Sequence, residues 1–439
     1  WQRLYQQTRD ADIARRYVSA LVATDQHATA VNVLDALLEA DAQNDWARRM
    51  LLDSLEQLGR TDDAIRRARK WLYRAAGETE KQILRRRLLN LYRRTEDYAA
   101  AQKLLDDWLQ DARDADTRRA LRVEKLRLYG QAGEYEAAEQ AAREWIAEAP
   151  DVLRPRLAIV GALVEAEHPQ RALRLVDAWL AERAPGTQPA TAPTTATAPT
   201  TATAPAAEVI RPEVPDVVAQ WCRSTGVRLL LIQQRYEDAL ARVERYDDDA
   251  DMLSLRSACL EQLGRRDEAL AALEQAHALR PDDPGLNNDL GYMYADRGVE
   301  LAQAERLIRR ALTDRPDEPA FLDSLAWVFY KQGRLPAAGR IFDRILEMAE
   351  KADGEDGTSD AAHPVILDHA GDAYWRLDRR DEQWRRGVSA AKEEKYESAD
   401  TRNVLSRAPA KIEAAEAGRQ PPLAPLAEQD ETGGSQPPE

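Results

Sequence analysis

The sequence predicts an all-α fold in which antiparallel helix pairs stack into a solenoid. Four segments carry an alanine and a tryptophan seven residues apart, namely Ala64–Trp71, Ala101–Trp108, Ala138–Trp145 and Ala172–Trp179. Seven residues make about two helical turns, so both side chains lie on one helix face. The four tryptophans recur at intervals of 37, 37 and 34 residues. A small residue at one helix position with a period of about 34 residues indicates a helical repeat array.

The composition favours helices over strands. Alanine, leucine, arginine and glutamate dominate, 32% of the residues are charged, and only 20 of 439 are glycine. The net charge is −15, and because basic and acidic residues balance within 1–184, the whole excess of acid lies after residue 184. An acidic surface disfavours nonspecific contact with nucleic acid or anionic lipid, so we expect no nucleic-acid partner. No stretch is long and apolar enough to predict a membrane span.

The N-terminal block, residues 1–184, is predicted to consist of successive helical hairpins. In DWARRMLLDSLEQLGRTDDAIRRARKWL, one apolar-periodic segment ends at Leu58 and Gly59, and a second segment follows directly. Glycine permits the left-handed backbone that ends many helices, so we predict a tight corner at this point. Gly133 takes the same place in LYGQAGEYEAAEQAAREWI.

Residues 185–215 interrupt this pattern. Their sequence, APGTQPATAPTTATAPTTATAPAAEVIRPEVP, is rich in proline, threonine and alanine, which predicts a disordered linker. The helical pattern resumes in a C-terminal block, residues 216–418. Residues 419–439 are proline-rich and acidic, and the composition predicts a disordered tail. The expected organisation is therefore two helical blocks joined by a flexible linker and followed by a tail.

Two consecutive stretches of the C-terminal block resemble a known family. They are PGLNNDLGYMYADRGVELAQAERLIRRALTDRP and PAFLDSLAWVFYKQGRLPAAGRIFDRIL, and the matching residues are Leu290, Gly291, Tyr294, Ala304, Ile308, Ala311 and Pro316, followed by Leu322, Leu325, Ala326, Phe329, Gly333, Ala338 and Phe342. They strongly resemble tandem tetratricopeptide repeats, especially those of bacterial proteins. The resemblance implies a right-handed superhelical solenoid that binds other proteins. Gly291 and Ala304 are expected where two helices cross, because overpacking there would cost about 1–3 kcal/mol.

The tryptophan ladder has two interpretations. It is either part of the core between repeats or an exposed aromatic strip for a ligand. A buried indole removes about 150–250 Å² from water, and four exposed rings in a row would form a large apolar patch. We favour the core interpretation, because large aromatic side chains are mostly buried.

A candidate partner-binding face follows from the repeat geometry. The first helix of each pair lines the concave side of such a solenoid. Outward positions on these helices in the C-terminal block are Asn288, Tyr292, Asp323, Trp327, Tyr330, Asp368, Asp372 and Trp375. Residues four apart lie one turn above each other, so the set forms a column of rings flanked by acids. Such a groove suits a basic extended peptide. Alternatively, the rings pack between helices and the acids are merely solvated.

A second candidate face lies in the N-terminal block. Its inner positions are Arg49, Arg86, Asn90, Arg94 and Arg127, which would suit phosphate or an acidic peptide. Acidic residues balance this block, however, and charge runs on exposed helices are usually solvated faces.

No catalytic or metal-binding pattern is present in the sequence. A phosphate loop, a GxGxxG turn and an HExxH helix are missing, and His363 and His369 are not spaced to share a helix face. Cys222 and Cys259 are expected to be buried free thiols. We therefore expect no catalysis, no cofactor and no metal.

The favoured function is a noncatalytic protein-interaction scaffold that binds extended partner segments on its concave face. One alternative is a ligand-sensing or nucleic-acid-binding regulator that uses the arginine face. Another is a structural subunit of an envelope assembly. The sequence starts with Trp1 rather than methionine, which suggests either an expressed fragment or removal of an upstream segment such as an export signal. The linker composition also favours export, but the choice between cytoplasm and envelope stays open.

Overall fold

The computed structural model describes residues 10–148, 152–182, 217–246, 249–352, 363–379, 383–393 and 399–427, together with the single residues 1, 3 and 150. In these ranges the chain forms 21 α-helices and no β-strand, which confirms the all-α prediction. None of the described helices is both long and apolar enough to cross a bilayer. The predicted linker, residues 185–215, and residues 428–439 lie outside the described part.

The chain divides into two compact units, residues 1–168 and 169–439. In the first unit, short corners connect successive helices. These are α1 (Ala11–Ala23), α2 (His27–Ala40), α3 (Asp45–Gln57), α4 (Thr61–Arg74), α5 (Glu78–Arg94), α6 (Tyr98–Asp111), α7 (Ala115–Gln131), α8 (Tyr135–Glu148) and α9 (Arg154–Glu165).

The second unit continues the same hairpin pattern. Its described helices are α10 (Pro169–Glu182), α11 (Val217–Ile232), α12 (Tyr236–Val243), α13 (Ala250–Gln262), α14 (Arg266–Leu279), α15 (Pro284–Arg297), α16 (Leu301–Asp314), α17 (Pro319–Lys331), α18 (Leu335–Ala352), α19 (Pro364–Arg376), α20 (Gln383–Glu393) and α21 (Ala399–Glu416).

The corners within hairpins depend on one left-handed residue. Gly59 and Gly133 adopt this conformation with φ of 69° and 73°, as the sequence predicts. Glu96 occupies the same place in another hairpin with φ of 55°. Residues with a side chain disfavour the left-handed backbone conformation. Because Glu96 nevertheless adopts it, packing of the two helices determines the geometry of this corner.

Small residues let paired helices approach closely. A Cβ atom added to Gly291 on α15 would lie 2.6 Å from Ile308 Cγ1 and 3.0 Å from the carbonyl oxygen of Ala304 on α16. At Gly371 on α19, an added Cβ would lie 2.4 Å from Trp384 Nε1 on α20. Both glycines therefore lie where two helices cross, as expected for Gly291.

The tryptophan ladder is largely buried, in agreement with the core interpretation. Trp108, Trp145 and Trp179 are 5%, 8% and 7% exposed, and Trp71 is half-buried. Trp108 belongs to one continuous core that also contains Ala101 and Leu105 of the same helix.

In the first unit, an arginine guanidinium packs over the ring of each ladder tryptophan. In three successive hairpins, a guanidinium from the first helix lies 5.3–5.7 Å from the centre of the indole on the second helix; the pairs are Arg48–Trp71, Arg85–Trp108 and Arg122–Trp145. Each arginine precedes its tryptophan by 23 residues. Arg85 is buried and also binds Asp111. We call this repeated pair the Arg–Trp clasp, and it combines cation–π attraction with burial of the indole.

Stacking continues across the predicted linker within the second unit. Trp179 on α10 lies 6.3 Å from Trp221 on α11 between ring centres, and Arg242 Nη1 donates to Asp177 Oδ1 at 2.6 Å. The compact units therefore separate after His168, whereas the sequence analysis placed the block boundary at residue 184. The composition of 185–215 marks a break in the helical pattern, but α10 still has an apolar face that α11 covers.

Candidate functional site

The second unit contains an open groove on its first helices. It is lined by α13, α15, α17 and the start of α19 and has a cavity volume of about 770 Å³. Three residues of the sequence-predicted partner-binding set, Asn288, Tyr292 and Asp323, line this cavity. The structure therefore brings these three positions together in one cavity.

The groove is rich in carboxylates. Its lining includes the acids Glu261, Asp289, Asp296, Glu318 and Asp323, against the guanidinium groups of Arg266 and Arg297. Arg297 is already engaged, because it donates to Asp267 and to the carbonyl oxygen of Arg266. We call this cavity the acidic groove.

Asn288 holds an unused acceptor at the groove. The residue is 7% exposed and its Nδ2 atom donates to Asp289 Oδ1 at 3.4 Å, but its Oδ1 atom has no hydrogen-bond partner among the described residues. A buried acceptor without a partner costs about 1–3 kcal/mol. A ligand N–H group that reached Asn288 Oδ1 would remove this cost.

A stack of three rings forms the floor beside the groove. The Trp327 indole lies 3.9 Å from the His369 ring on one face and 4.7 Å from the Tyr330 ring on the other, between ring centres. Trp327 Nε1 donates to Asp296 Oδ1 at 3.3 Å, and Lys331 Nζ donates to the carbonyl oxygen of Asp296 at 2.9 Å. Trp327 and Tyr330 are buried, so these two rings of the predicted column pack between helices.

His369 forms a buried ion pair with Asp323. Its Nδ1 atom lies 3.1 Å from both carboxylate oxygens. Burial alone lowers the pKa of His369, but the charge and hydrogen bond of Asp323, with smaller contributions from Asp368 and Asp296, raise this pKa above its ordinary value of 6.5. The folded protein therefore favours the charged imidazolium.

This pair predicts a pH dependence of stability. Because the folded-state pKa of His369 is raised, the pair stabilises the fold fully below pH 6.5, and this contribution is lost as the pH rises through the raised value. We expect the melting temperature to fall over that window and the His369-dependent part of the fall to be absent in Asp323→Asn. Thermal unfolding of both proteins from about pH 6 to about pH 9 measures this difference. Parallel curves for the two proteins would contradict it.

The acids at the far end of the predicted column are not open to a ligand. Asp368 and Asp372 are 2% and 1% exposed, and Lys411 Nζ on α21 donates to Asp368 Oδ1 at 2.7 Å and to Asp372 Oδ1 at 2.6 Å. The structure here differs from the expectation of solvent-facing acids. The reason is that α21 packs over α19 and supplies a cation from within the chain. We call these three residues the buried triad.

Trp375, the last residue of the predicted set, lies beside α20. Its ring centre is 5.7 Å from that of Trp384, whose Nε1 atom donates to Asp372 Oδ1 at 3.1 Å. Trp375 and Trp384 pack together with Val404 and Ala408 of α21 in a separate apolar cluster. Trp375 therefore helps to attach the last two helices.

Part of the predicted disordered tail is packed onto this end of the unit. Residues 419–427 follow α21 without helix or strand structure, with a tight turn in which the Leu423 N–H group donates to the Pro421 carbonyl oxygen at 2.9 Å, and the Tyr330 hydroxyl donates to the carbonyl oxygen of Ala424 at 2.6 Å. The composition predicts disorder for residues 419–439, whereas main-chain hydrogen bonds and the side chains of Leu423 and Leu426 attach residues 419–427 to the unit.

The second candidate face is exposed in the first unit. Arg49, Arg86, Asn90, Arg94 and Arg127 are all exposed. Two of these arginines are paired within the chain, because Arg94 binds Glu56 and Arg127 Nε lies 3.5 Å from Glu165 Oε1. This pairing reduces the positive charge that the face presents to a ligand.

The two cysteines are free and buried, as predicted. Burial raises the pKa of the Cys259 thiol to about 11, so little thiolate forms near neutral pH. In the described part of the chain, no group of three or more His, Cys, Asp and Glu side chains is arranged to hold a metal ion.

Comparison with known families agrees with the hairpin geometry. Tetratricopeptide repeat profiles match residues 250–283 and 294–354, which cover α13 with α14 and the region from the end of α15 to α18. The chain carries tetratricopeptide repeats. Such repeats generally serve protein–protein interaction, and proteins of this family are generally noncatalytic.

One curated relative is the TPR repeat-containing protein PA4667 of Pseudomonas aeruginosa. It is 34% identical over 105 residues, which are 24% of this chain and 18% of that protein. The match thus spans less than a fifth of the relative, and it leaves the activity and partners of the whole protein open.

Solved tetratricopeptide structures are similar to the chain at low identity. A repeat protein from Parabacteroides merdae is 14% identical, with a TM-score of 0.37, over 60% of this chain and 86% of its own. The Cut9–Hcn1 assembly of the APC/C gives 13% and 0.41, over 89% and 74%. YrrB, described as a TPR protein with an unusual peptide-binding site, gives 14% and 0.29, over 46% and 89%. None of these similarities bears on the partner of this chain.

Proposed function

We propose that the chain is a noncatalytic adaptor whose acidic groove binds a basic, extended segment of a partner protein. The single observation that carries this proposal is the excess of carboxylates in an open cavity of about 770 Å³ on the first helices of tetratricopeptide repeats. Lysine or arginine side chains of a partner would complement this charge, and an acidic groove also increases the rate of encounter with a basic segment.

Three groove residues have distinct roles in this proposal. The carboxylate of Asp289, an exposed residue whose pKa is raised by desolvation of the carboxyl group, attracts a cationic side chain, and the half-buried ring of Tyr292 offers a face for its aliphatic stem. The Asn288 amide oxygen accepts a main-chain N–H group of the bound segment. Because the first helices are held rigid by stacking, little ordering cost falls on the scaffold.

Asp368 and Asp372 have a different role from the one expected at first. They bind Lys411 inside the chain, so the proposed site is limited to the groove between α13, α15 and α17. Trp327 and Tyr330 support that site from below rather than contact the partner directly.

Two peptides of opposite charge test the proposal on the full chain. The probes are two fluorescent peptides, one of alternating lysine and alanine and one of alternating glutamate and alanine, measured by anisotropy. We expect the lysine peptide to bind and the glutamate peptide not to bind. Asp289→Asn should weaken lysine-peptide binding about two- to fivefold, because one partly exposed charge contact is lost.

Asp314→Asn is the matched control. Asp314 is an exposed acid on α16 outside the groove, so its neutralisation changes the net charge equally without changing the groove. Equal weakening by Asp289→Asn and Asp314→Asn would contradict a defined site. Preferential binding of the glutamate peptide, lost on Arg86→Ala, would replace the proposal with the arginine face of the first unit.

A further inference from the structure

The segment that follows α21 lies against the second unit without helix or strand structure. Residues 419–427, RQPPLAPLA, are the tail segment. Beyond α21, its main chain forms polar bonds with Tyr330 and Lys331 at the end of α17 and with Asp372 and Arg376 on α19, which together we call the track.

The track recognises the main chain of the tail segment. The carbonyl oxygen of Ala424 accepts from the Tyr330 hydroxyl at 2.6 Å and from Arg376 Nη2 at 3.0 Å. The N–H group of Ala424 donates to Asp372 Oδ2 at 2.9 Å, and that of Ala427 donates to the carbonyl oxygen of Lys331 at 3.0 Å. Contacts of this kind depend on the position of main-chain groups rather than on the side chains of the bound segment.

The side chains of the tail segment add apolar contacts. Leu423 packs on the cluster of Trp384, Val404 and Ala408, and Leu426 packs on the larger core beneath α17 and α18. Both leucines are only half-buried. The hydrophobic stabilisation of the bound segment is therefore partial, which is typical of an exchangeable ligand rather than of a core element.

Prolines fall at positions that leave these hydrogen bonds intact. Pro422 and Pro425 have no N–H group, whereas the N–H groups of Ala424 and Ala427 are used. Proline also restricts the unbound segment to extended conformations, so less entropy is lost on binding. The pattern Pro-Leu-Ala-Pro-Leu-Ala thus matches the track in both donors and shape.

The electrostatics of the track differ from those of the acidic groove. Its single carboxylate, Asp372, is compensated by Lys411, and Arg376 and Lys331 add positive charge. The contacting part of the tail segment, residues 420–427, carries no charged side chain. A basic segment is therefore matched to the groove, and an uncharged segment is matched to the track.

We propose that the track is a second peptide-binding site, specific for an uncharged segment of the type Pro-Leu-Ala-Pro-Leu-Ala, and that the tail segment is its resident internal ligand. A partner protein that presents such a segment binds by displacing the tail. Gly418, with φ of 66° and open space around its α-carbon, gives the chain the freedom to turn away at the end of α21. This site does not depend on the basic ligand proposed for the acidic groove.

Release of the tail in the full chain provides the test. A covalently attached ligand has an effective concentration that can reach the millimolar range, so a free peptide competes poorly with it. We therefore compare the unchanged protein with the double variant Leu423→Asp and Leu426→Asp, which weakens the apolar contacts of the tail. The probe is a fluorescent, end-blocked peptide of residues 420–427, QPPLAPLA. We expect binding to the double variant and at least tenfold weaker binding to the unchanged protein.

Two further comparisons assign the binding to the track. In the tail-released background, Tyr330→Phe should weaken the peptide about five- to tenfold because the donor to the peptide carbonyl is lost. Tyr374→Phe removes a hydroxyl on α19 that donates to Asp343, outside the track. This change should leave peptide affinity unchanged. A peptide with the Ala424→Pro change lacks the N–H group that binds Asp372 and should bind at least tenfold more weakly.

The outcomes separate this proposal from the one for the acidic groove. A folded tail-released variant that does not bind the peptide would overturn the track, as would equal binding of the Ala424→Pro peptide. If the double variant does not fold, Ala424→Pro in the full chain releases the same contact by another route. Asp289→Asn should leave binding of QPPLAPLA unchanged, so failure of one site does not imply failure of the other.

Discussion

Replacing Trp108 with alanine is expected to lower the free energy of unfolding by about 3–5 kcal/mol, the usual cost of truncating a buried tryptophan. Trp108 is 5% exposed within the core of the first unit, and the guanidinium of Arg85 lies over its ring at 5.7 Å. The substitution leaves a cavity and also removes the ring that covers a buried arginine. Urea unfolding of the full chain measures the effect.

Tyr73→Ala is the control for this experiment. Tyr73 is 91% exposed, so its truncation should change stability by no more than about 0.5 kcal/mol. An unchanged free energy of unfolding in Trp108→Ala, together with loss of partner binding, would show instead that the tryptophan ladder binds a ligand.

Lys411→Met should destabilise the second unit by about 3–5 kcal/mol, because it leaves buried Asp372 without its cation and buried Asp368 with only the exposed guanidinium of Arg407, 3.3 Å from its Oδ2 atom. Lys411, Asp368 and Asp372 are each at most 2% exposed, so water cannot replace the lost ammonium group without opening the end of the unit. We also expect the tail segment to loosen, since Asp372 accepts from the main chain of Ala424. Thermal unfolding and amide exchange of the full chain measure both effects.

The exposed pair Arg385–Glu416 provides the matched control, because Glu416 lies on the same helix as Lys411. Glu416→Gln should cost no more than about 1 kcal/mol, as is typical for surface ion pairs. If both variants were equally stable, the buried triad would contribute nothing beyond an ordinary surface pair.

The fold could be predicted from the sequence because each hairpin contains its own local signals for helix ends and helix crossings. Gly59 and Gly133 mark corners, and Gly291 with Ala304 marks a helix crossing. These signals lie within about 35 residues of one another, so they can be recognised in the sequence without knowing the distant contacts.

The candidate site could be predicted only in part, because its remainder depends on long-range contacts. The sequence identifies the face that holds Asn288, Tyr292 and Asp323. It does not reveal that Lys411 returns to Asp368 and Asp372, since the contact joins residues 39 and 43 positions apart on non-paired helices. Pro409 inside α21 further obscures the helical pattern there.

Main-chain recognition leaves little trace in a sequence. The tail segment is bound chiefly through the carbonyl and N–H groups of Ala424, which every non-proline residue possesses. Its composition therefore predicts disorder, whereas the structure shows it bonded to α17 and α19. The Arg–Trp clasp, in contrast, does have a sequence signal: an arginine precedes each ladder tryptophan by 23 residues, as at Arg85 and Trp108.

Confinement of each clasp to a single hairpin has an evolutionary consequence. Arg85 and Trp108 stay together if the segment that contains them is copied or deleted as a whole, and the hairpins on either side keep clasps of their own. Unequal recombination in whole 37-residue steps should therefore be tolerated, whereas insertions of other lengths inside a hairpin should not. We expect related proteins to differ in length by multiples of 37 residues in this region.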